Sequence, residues 1–240
     1  MDSNVKTRSK EMPQVVSRDS WIAARKELLA KEKAWNRERD ALSAARRGLL
    51  MVQVEKEYVF QGPEGSQTLV DLFWGRRQLL VYHFMFDPAW DEGCSNCSFV
   101  ADHFDGALVH LAARDTSFAV VSRAPIEKIA RFRKRMGWDF PWLSSFGTAF
   151  NYDSLVTLDE SHTEYNYAPV SAQPAGYPHE GEREGLSVFL RDGERVFHTY
   201  STYQRGLDAL MNTYNFLDLT PLGRQEEDGI MGWVRHHDKY

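Results

Sequence analysis

The sequence is poor in cysteine and has no long apolar run. Two cysteines among 240 residues are too few for the disulfide framework of a small secreted domain. The longest strongly apolar stretch, residues 79–86, is interrupted by His83 and falls far short of the about 20 residues that cross a bilayer. The first residues are polar, so we expect no secretory signal. These absences predict a cytoplasmic protein without a membrane partner.

An excess of positive charge is also missing. Lysine and arginine number 29 against 34 aspartates and glutamates, which gives a formal net charge of -5. Because nucleic acids bind cationic surfaces, we expect no nucleic-acid partner. A hydrophobic content of 42% is enough for one full core. We expect an N-terminal helical extension over residues 1–50, one main domain over residues 51–222 and a C-terminal tail over residues 223–240.

The sequence pattern of the extension predicts one long helix. Residues 20–47 lack proline and glycine, with Ser20 as the expected N-cap and Gly48 at the end. We expect an apolar stripe on this helix to be buried, either on the chain's own domain or on a second subunit in a homodimer. The stripe repeats every seven residues and consists of Trp21, Leu28, Trp35 and Leu42.

The remaining pattern predicts an α/β domain with a central mixed sheet flanked by helices. Residues 79–86 are typical of a strand covered on both faces and therefore lie mid-sheet. Residues 154–185 are polar, contain Pro169, Pro174 and Pro178, and indicate a long loop or lid. The other expected elements are a hairpin and helical turn over residues 52–73, a helix from the cysteines to about residue 111, a strand over 118–122, a helix over 125–136, a hairpin over 188–200 and a closing helix over 203–216.

The two cysteines form one C-x-x-C motif, Cys94-Ser95-Asn96-Cys97, between a predicted strand and a predicted helix. This context is typical of redox-active pairs. Disulfide exchange needs one thiolate that attacks and a second thiol that resolves the mixed disulfide. A helix that begins at Ser95 would point its unpaired N–H groups at Cys94 and cover Cys97 with its first turn. We therefore predict that Cys94 is the nucleophile and Cys97 the resolving thiol.

Three charged residues are candidates for tuning the Cys94 thiolate. Asp91 and Glu92 precede it, and nearby carboxylates raise the pKa of a thiol. Arg123 ends the next predicted strand and would lower that pKa if it reached the sulfur. A solvated role for Arg123 is the alternative.

Two other functions remain open on the same residues. A peroxidase would use one cysteine at a helix start, but peroxiredoxins carry Thr or Ser three residues before it, where this chain has Asp91. A non-catalytic interaction protein, with or without zinc, is the second alternative. A zinc site would recruit His103 and His110, yet Cys97 and His103 are about 240° apart around a helix. We expect no metal and no other cofactor.

Six segments resemble those of a known family: residues 82–86, 92–99, 122–125, 136–142, 197–203 and 217–224. The family is the thioredoxin-like group of unknown function labelled predicted dithiol–disulfide oxidoreductase, domain of unknown function 899. The resemblance implies a thioredoxin-like fold of the peroxiredoxin-like variant. It also implies dithiol chemistry at Cys94 and Cys97, with protein or small-molecule thiols and disulfides as partners. The chain departs from thioredoxins in lacking their cis-proline, where it has Gly185-Leu186.

Overall fold

The computed structural model describes residues 12–173, 178–227 and 229–240, so Pro174 of the predicted loop lies outside the described residues. The first element is helix α1 (Arg18–Arg47). The Ser20 amide N–H donates to the hydroxyl of Ser17 at 3.2 Å, which makes Ser17 the N-cap. The helix therefore begins earlier than the predicted Ser20 cap, and it ends at Gly48 as predicted.

Helix α1 projects its apolar stripe into solvent. None of its residues is buried. The exposed fractions are 52% for Trp21, 50% for Leu28, 61% for Trp35 and 53% for Leu42. The expectation that this stripe packs on the chain's own domain is therefore wrong. Its coverage by a second subunit stays a prediction.

The described strands form one large sheet and two small ones. In chain order they are β1 (Val52–Gln53), β2 (Val59–Gly62), β3 (Gly65–Thr68), β4 (Gln78–His83), β5 (Thr116–Ser122), β6 (Trp142–Ser144), β7 (Thr157–Leu158), β8 (Glu164–Tyr165), β9 (Ala168–Pro169), β10 (Gly181–Glu182), β11 (Gly185–Asp192) and β12 (Arg195–Thr202).

The large sheet has the order β1-β12-β11-β4-β5-β6-β2-β3 in the described part of the chain. Strand β4 pairs parallel with β5 and antiparallel with β11, and β11 and β12 form a hairpin. The four strands β12-β11-β4-β5 thus have the arrangement of a thioredoxin-like domain. The predicted mixed α/β fold is confirmed, as is the central place of the apolar run over residues 79–86.

Helices cover both faces of the sheet. The predicted single helix after the cysteines is two helices with a turn at residues 102–104, and the predicted closing helix is a 3-10 helix followed by α6. No helix among the described residues is long and apolar enough to cross a membrane. The α-helices are α2 (Ser95–Ala101), α3 (Asp105–Ala112), α4 (Ile126–Met136), α5 (Phe150–Asp153) and α6 (Asn212–Leu217), and the 3-10 helices are Asp71–Phe73, Val170–Ala172, Gln204–Leu210 and His237–Lys239.

The core on the α2 and α4 side of the sheet is mostly aromatic. Phe84 directly follows strand β4, and its ring packs on Trp142 with the ring centroids 4.5 Å apart. Phe132 of α4 packs on the same tryptophan, and both phenylalanines are buried. Such large rings exclude water from the segment that connects β4 to α2. That segment carries the cysteine motif.

Residues 154–185 are a folded layer rather than a structureless loop within their described part. They contain β7 to β10, and the chain turns between them are closed by hydrogen bonds. Val156, Leu158, Tyr165 and Val170 are buried together with Tyr203, which follows β12. The polar composition hid this small core because its apolar residues are widely spaced along the chain.

Candidate active site

The cysteine motif lies where β4 gives way to α2. Cys94 is the N-cap of α2, with φ -55° and ψ 131°. Its amide N–H donates to the Met85 carbonyl oxygen at 3.0 Å, and its own carbonyl accepts from the Ser98 N–H at 2.9 Å. These bonds hold Cys94 between the end of the strand and the first turn of the helix. The predicted helix start at Ser95 is confirmed.

The two cysteines are free thiols with different surroundings. Cys94 is partly exposed, whereas Cys97 is buried with 2% of its surface accessible. A hydrogen bond from the Cys97 thiol lowers the pKa of Cys94, and the backbone N–H groups of Cys97 and Asn96 add to this while burial opposes it. Hydrogen bonds to the thiolate favour the charged form. Cys94 is therefore the thiol that ionises first.

Cys97 has the opposite tendency. Burial raises its pKa well above the ordinary value, and the adjacent Cys94 adds to the rise. The Met85 N–H donates to the Cys97 sulfur at 3.4 Å and partly offsets this rise. A buried thiol that keeps its proton cannot compete with Cys94 for an incoming electrophile. Its thiol lies beside that of Cys94.

Two residues that the sequence did not reveal face the sulfurs. Burial raises the pKa of the fully buried Tyr82 hydroxyl well above its ordinary value, and the neighbouring Cys97 adds to this rise. The hydroxyl has no hydrogen-bond partner among the described residues. Glu184 lies so that its negative charge raises the pKa of both cysteines. The pairing of β4 with β11 sets Leu186 opposite Tyr82 and so brings Glu184 to the motif. A pairing between segments about a hundred residues apart has no local signature in the sequence.

The three residues proposed as thiolate-tuning groups are either exposed or paired with other residues. Asp91 is exposed. Glu92 bonds to Lys239 at 2.8 Å and Arg135 at 2.6 Å, and these cations lower its pKa. Arg123 pairs with the buried Glu182 at 2.9 Å. The structure does not bring these three residues together, and their influence on Cys94 stays a prediction.

The C-terminal tail packs on the loop before Cys94. His236 is buried, and its Nε2 lies 2.8 Å from the Gly93 carbonyl oxygen. Asp238 accepts from Arg135 of α4 at 2.8 Å, and Lys239 reaches Glu92 on the same loop. The tail has little regular structure, as its glycines suggested, yet it is tied to the motif by charge and hydrogen bonds.

A cleft of about 540 Å³ opens beside the motif. Cys94, Cys97 and Tyr82 line it. This volume is in the range of small-molecule sites. Its apolar wall includes Leu207, Met211, Ile230 and Met231.

A metal site is not formed by the parts of the chain that the structure describes. They contain no group of three or more His, Cys, Asp or Glu residues that could hold an ion. His103 of the zinc alternative instead has its Nε2 2.8 Å from the hydroxyl of Thr213 and lies in the turn between α2 and α3. His103 thus has a structural partner on the segment that covers α2.

Comparison with known families decides the membership of this chain. The model of the family described as "Bacterial protein of unknown function (DUF899)" matches residues 10–240. This chain belongs to DUF899. The match takes in the cysteine motif and the tail, and so covers the whole candidate site of this DUF899 protein. No curated protein matches its sequence significantly.

Solved structures similar to this DUF899 chain include peroxiredoxins. A cysteine-to-serine mutant of peroxiredoxin Q from Xanthomonas campestris has 12% identity and a TM-score of 0.45, and covers 70% of this chain and 98% of its own. A PrxQ mutant from Xylella fastidiosa has 13% identity, a TM-score of 0.42 and coverages of 66% and 88%. Peroxidoxin BcpB from Mycobacterium tuberculosis has 15% identity, a TM-score of 0.40 and coverages of 69% and 95%. Similarity this distant says nothing about activity.

Proposed function

We propose that this DUF899 protein is a thiol–disulfide oxidoreductase in which Cys94 attacks and Cys97 resolves. The observation that carries the proposal is the contact between two free thiols whose pKa values shift in opposite directions. An exposed sulfur that ionises readily is suited to attack. A buried neighbour that keeps its proton is suited to the second step.

The reaction takes place in two exchanges. The Cys94 thiolate attacks one sulfur of a substrate disulfide, a Cys94–substrate disulfide forms, and the other half leaves as a thiolate that takes up a proton. Cys97 then loses its proton and attacks the Cys94 sulfur. A Cys94–Cys97 disulfide forms and the second substrate thiol is released. Two electrons have passed from the protein dithiol to the substrate.

The peroxidase alternative receives less support from the site. It calls for a hydroxyl three residues before the nucleophile, where this chain has the exposed Asp91. The fully buried Tyr82 hydroxyl lies near Cys97, the resolving thiol of the proposal. We therefore favour disulfide exchange.

A trapping experiment tests the division of labour between the cysteines. Cys97→Ser leaves an attacking thiol without a resolver, so mixed disulfides with a model disulfide substrate should accumulate and be detected by mass spectrometry. Cys94→Ser should trap little, because the remaining sulfur is buried. Iodoacetamide at neutral pH should label Cys94 first in the native protein.

A redox titration of the native protein provides the control. One two-electron transition should appear in the wild type and be absent from both single variants. Equal trapping by the two variants would contradict the assigned roles. A wild type that neither exchanges disulfides nor forms the Cys94–Cys97 bond would end the catalytic proposal.

A further inference from the structure

The cleft beside the motif is built for an apolar occupant. Its apolar wall includes Leu207 and Met211 of the aromatic core. Met231, which is partly exposed, and Ile230, which is 72% exposed, also line the cleft and have apolar surface that an occupant could cover. Because apolar surface removed from water stabilises a complex, binding of a hydrocarbon group against these side chains is favourable.

Most charged residues on the cleft already have partners within the protein. Arg205 pairs with Asp208 at 2.9 Å, and Arg224 pairs with Asp218 at 2.7 Å. The Glu226 carboxylate accepts from the Tyr214 hydroxyl and from the Met231 N–H. Arg224 donates two hydrogen bonds to Asp218 and is therefore poorly placed to receive a substrate carboxylate, which would have to displace that partner.

Glu184 adds a charge where the substrate must react. It lines the cleft, and its negative charge acts on Tyr82 as well as on both sulfurs. An anionic disulfide approaching Cys94 would therefore meet a like charge. An uncharged one would not.

We propose that the cleft binds one half of a small, uncharged, apolar disulfide and presents its sulfur–sulfur bond to Cys94. This inference rests on the proposed function and adds the substrate class. The hydrocarbon group lies along Met211 and Met231, while the other half of the disulfide points to solvent and leaves first as a thiol. The leaving thiolate takes a proton from water, and Cys97 then releases the bound half as a second thiol. A large anionic disulfide such as glutathione disulfide is a poor substrate.

The test measures the attack step alone. The Cys97→Ser variant is mixed with dimethyl, diethyl or dipropyl disulfide in excess, and formation of the Cys94–alkyl adduct is followed by mass spectrometry. Each rate constant is divided by that of dithiothreitol with the same disulfide, which removes intrinsic reactivity. The normalised rate should rise about fourfold for each CH₂ that enters the cleft, the value expected for burial of one methylene. A flat series would overturn the proposal.

Charge selection is tested with a matched pair. Dipropyl disulfide should react at least about tenfold faster than dithiodipropionate, which has a chain of similar length with a carboxylate at the end. Glu184→Gln should reduce this ratio by about threefold or more, because the repelling charge is gone. Equal rates for the two disulfides, or an unchanged ratio in the variant, would contradict the role of Glu184.

A variant of the apolar wall distinguishes binding in the cleft from the reactivity of Cys94 itself. Met231→Asp places a charge on the apolar wall and should abolish the dependence on chain length. Leu219→Asp makes the same change at a residue that is 83% exposed and outside the cleft, and should preserve the dependence. If the wild-type protein reacts with no disulfide, the proposed function fails. If it reacts with glutathione disulfide as fast as with dipropyl disulfide, only the substrate class fails.

Discussion

Gly93, immediately before Cys94, packs the loop that carries the cysteine motif against the aromatic core. A methyl group at this position would lie 2.6 Å from Cε1 of Phe84 and 2.8 Å from Cε1 of Phe132. Both rings are buried, and each also packs on Trp142, so neither has room to move away. Gly93→Ala must therefore displace the loop that carries Cys94.

The cost of this substitution follows from the crowding. Extra carbon in a filled core costs roughly 1 to 3 kcal/mol. In a protein of this size each kcal/mol lowers the melting temperature by about 2 to 4 °C. The displacement also disturbs the position of Cys94, whose N–H donates to the Met85 carbonyl oxygen at 3.0 Å. We expect lower stability together with slower alkylation of Cys94 at neutral pH.

Urea unfolding and iodoacetamide labelling measure the two effects. Gly106→Ala is the matched control, because Gly106 is an exposed residue of α3 and an added methyl there meets no atom within 4 Å. That control should gain up to about 1 kcal/mol from the better helix propensity of alanine. A Gly93→Ala variant as stable and as reactive as the wild type would refute the reasoning.

Two further predictions concern stability. Burial raises the pKa of Glu182 from 4.5 to about 7, so the folded state holds its proton more tightly than the unfolded state does. The resulting stability is fully present below pH 4.5 and is lost as the pH rises through 7. Glu182→Gln should remove this pH dependence of the unfolding free energy, which amounts to at most ~3 kcal/mol. Urea unfolding between these pH values measures it, and an unchanged slope would disprove the prediction. Trp35 is 61% exposed, so Trp35→Ala should change the unfolding free energy of a single chain by less than about 0.5 kcal/mol. A larger, concentration-dependent loss would instead show that a second subunit covers the stripe.

Local chemistry in the sequence determined several parts of the fold and the position of the cysteine pair. The Asp192-Gly193 sequence indicated a hairpin turn, and β11 and β12 pair on either side of Gly193 and Glu194. Pro125 caps α4, and Gly137 ends it with φ 67°. The position of the C-x-x-C motif at the start of α2 was likewise predictable, because a strand pattern precedes it and a helical pattern follows it. Each signal works within a few residues, so it could be recognised without knowing the rest of the fold.

Only the tertiary structure decided what surrounds the cysteines. The pairing of β4 with β11 brings Glu184 to the sulfurs, and the tail reaches back to place His236 on the Gly93 carbonyl. The periodic stripe of α1 indicated a buried face, yet the chain supplies no partner surface for it in the described residues. A hydrophobic period states that a face can be buried, but not what buries it. Contacts between distant segments depend on the packing of the whole domain, because no short stretch of sequence contains the free energy that selects them.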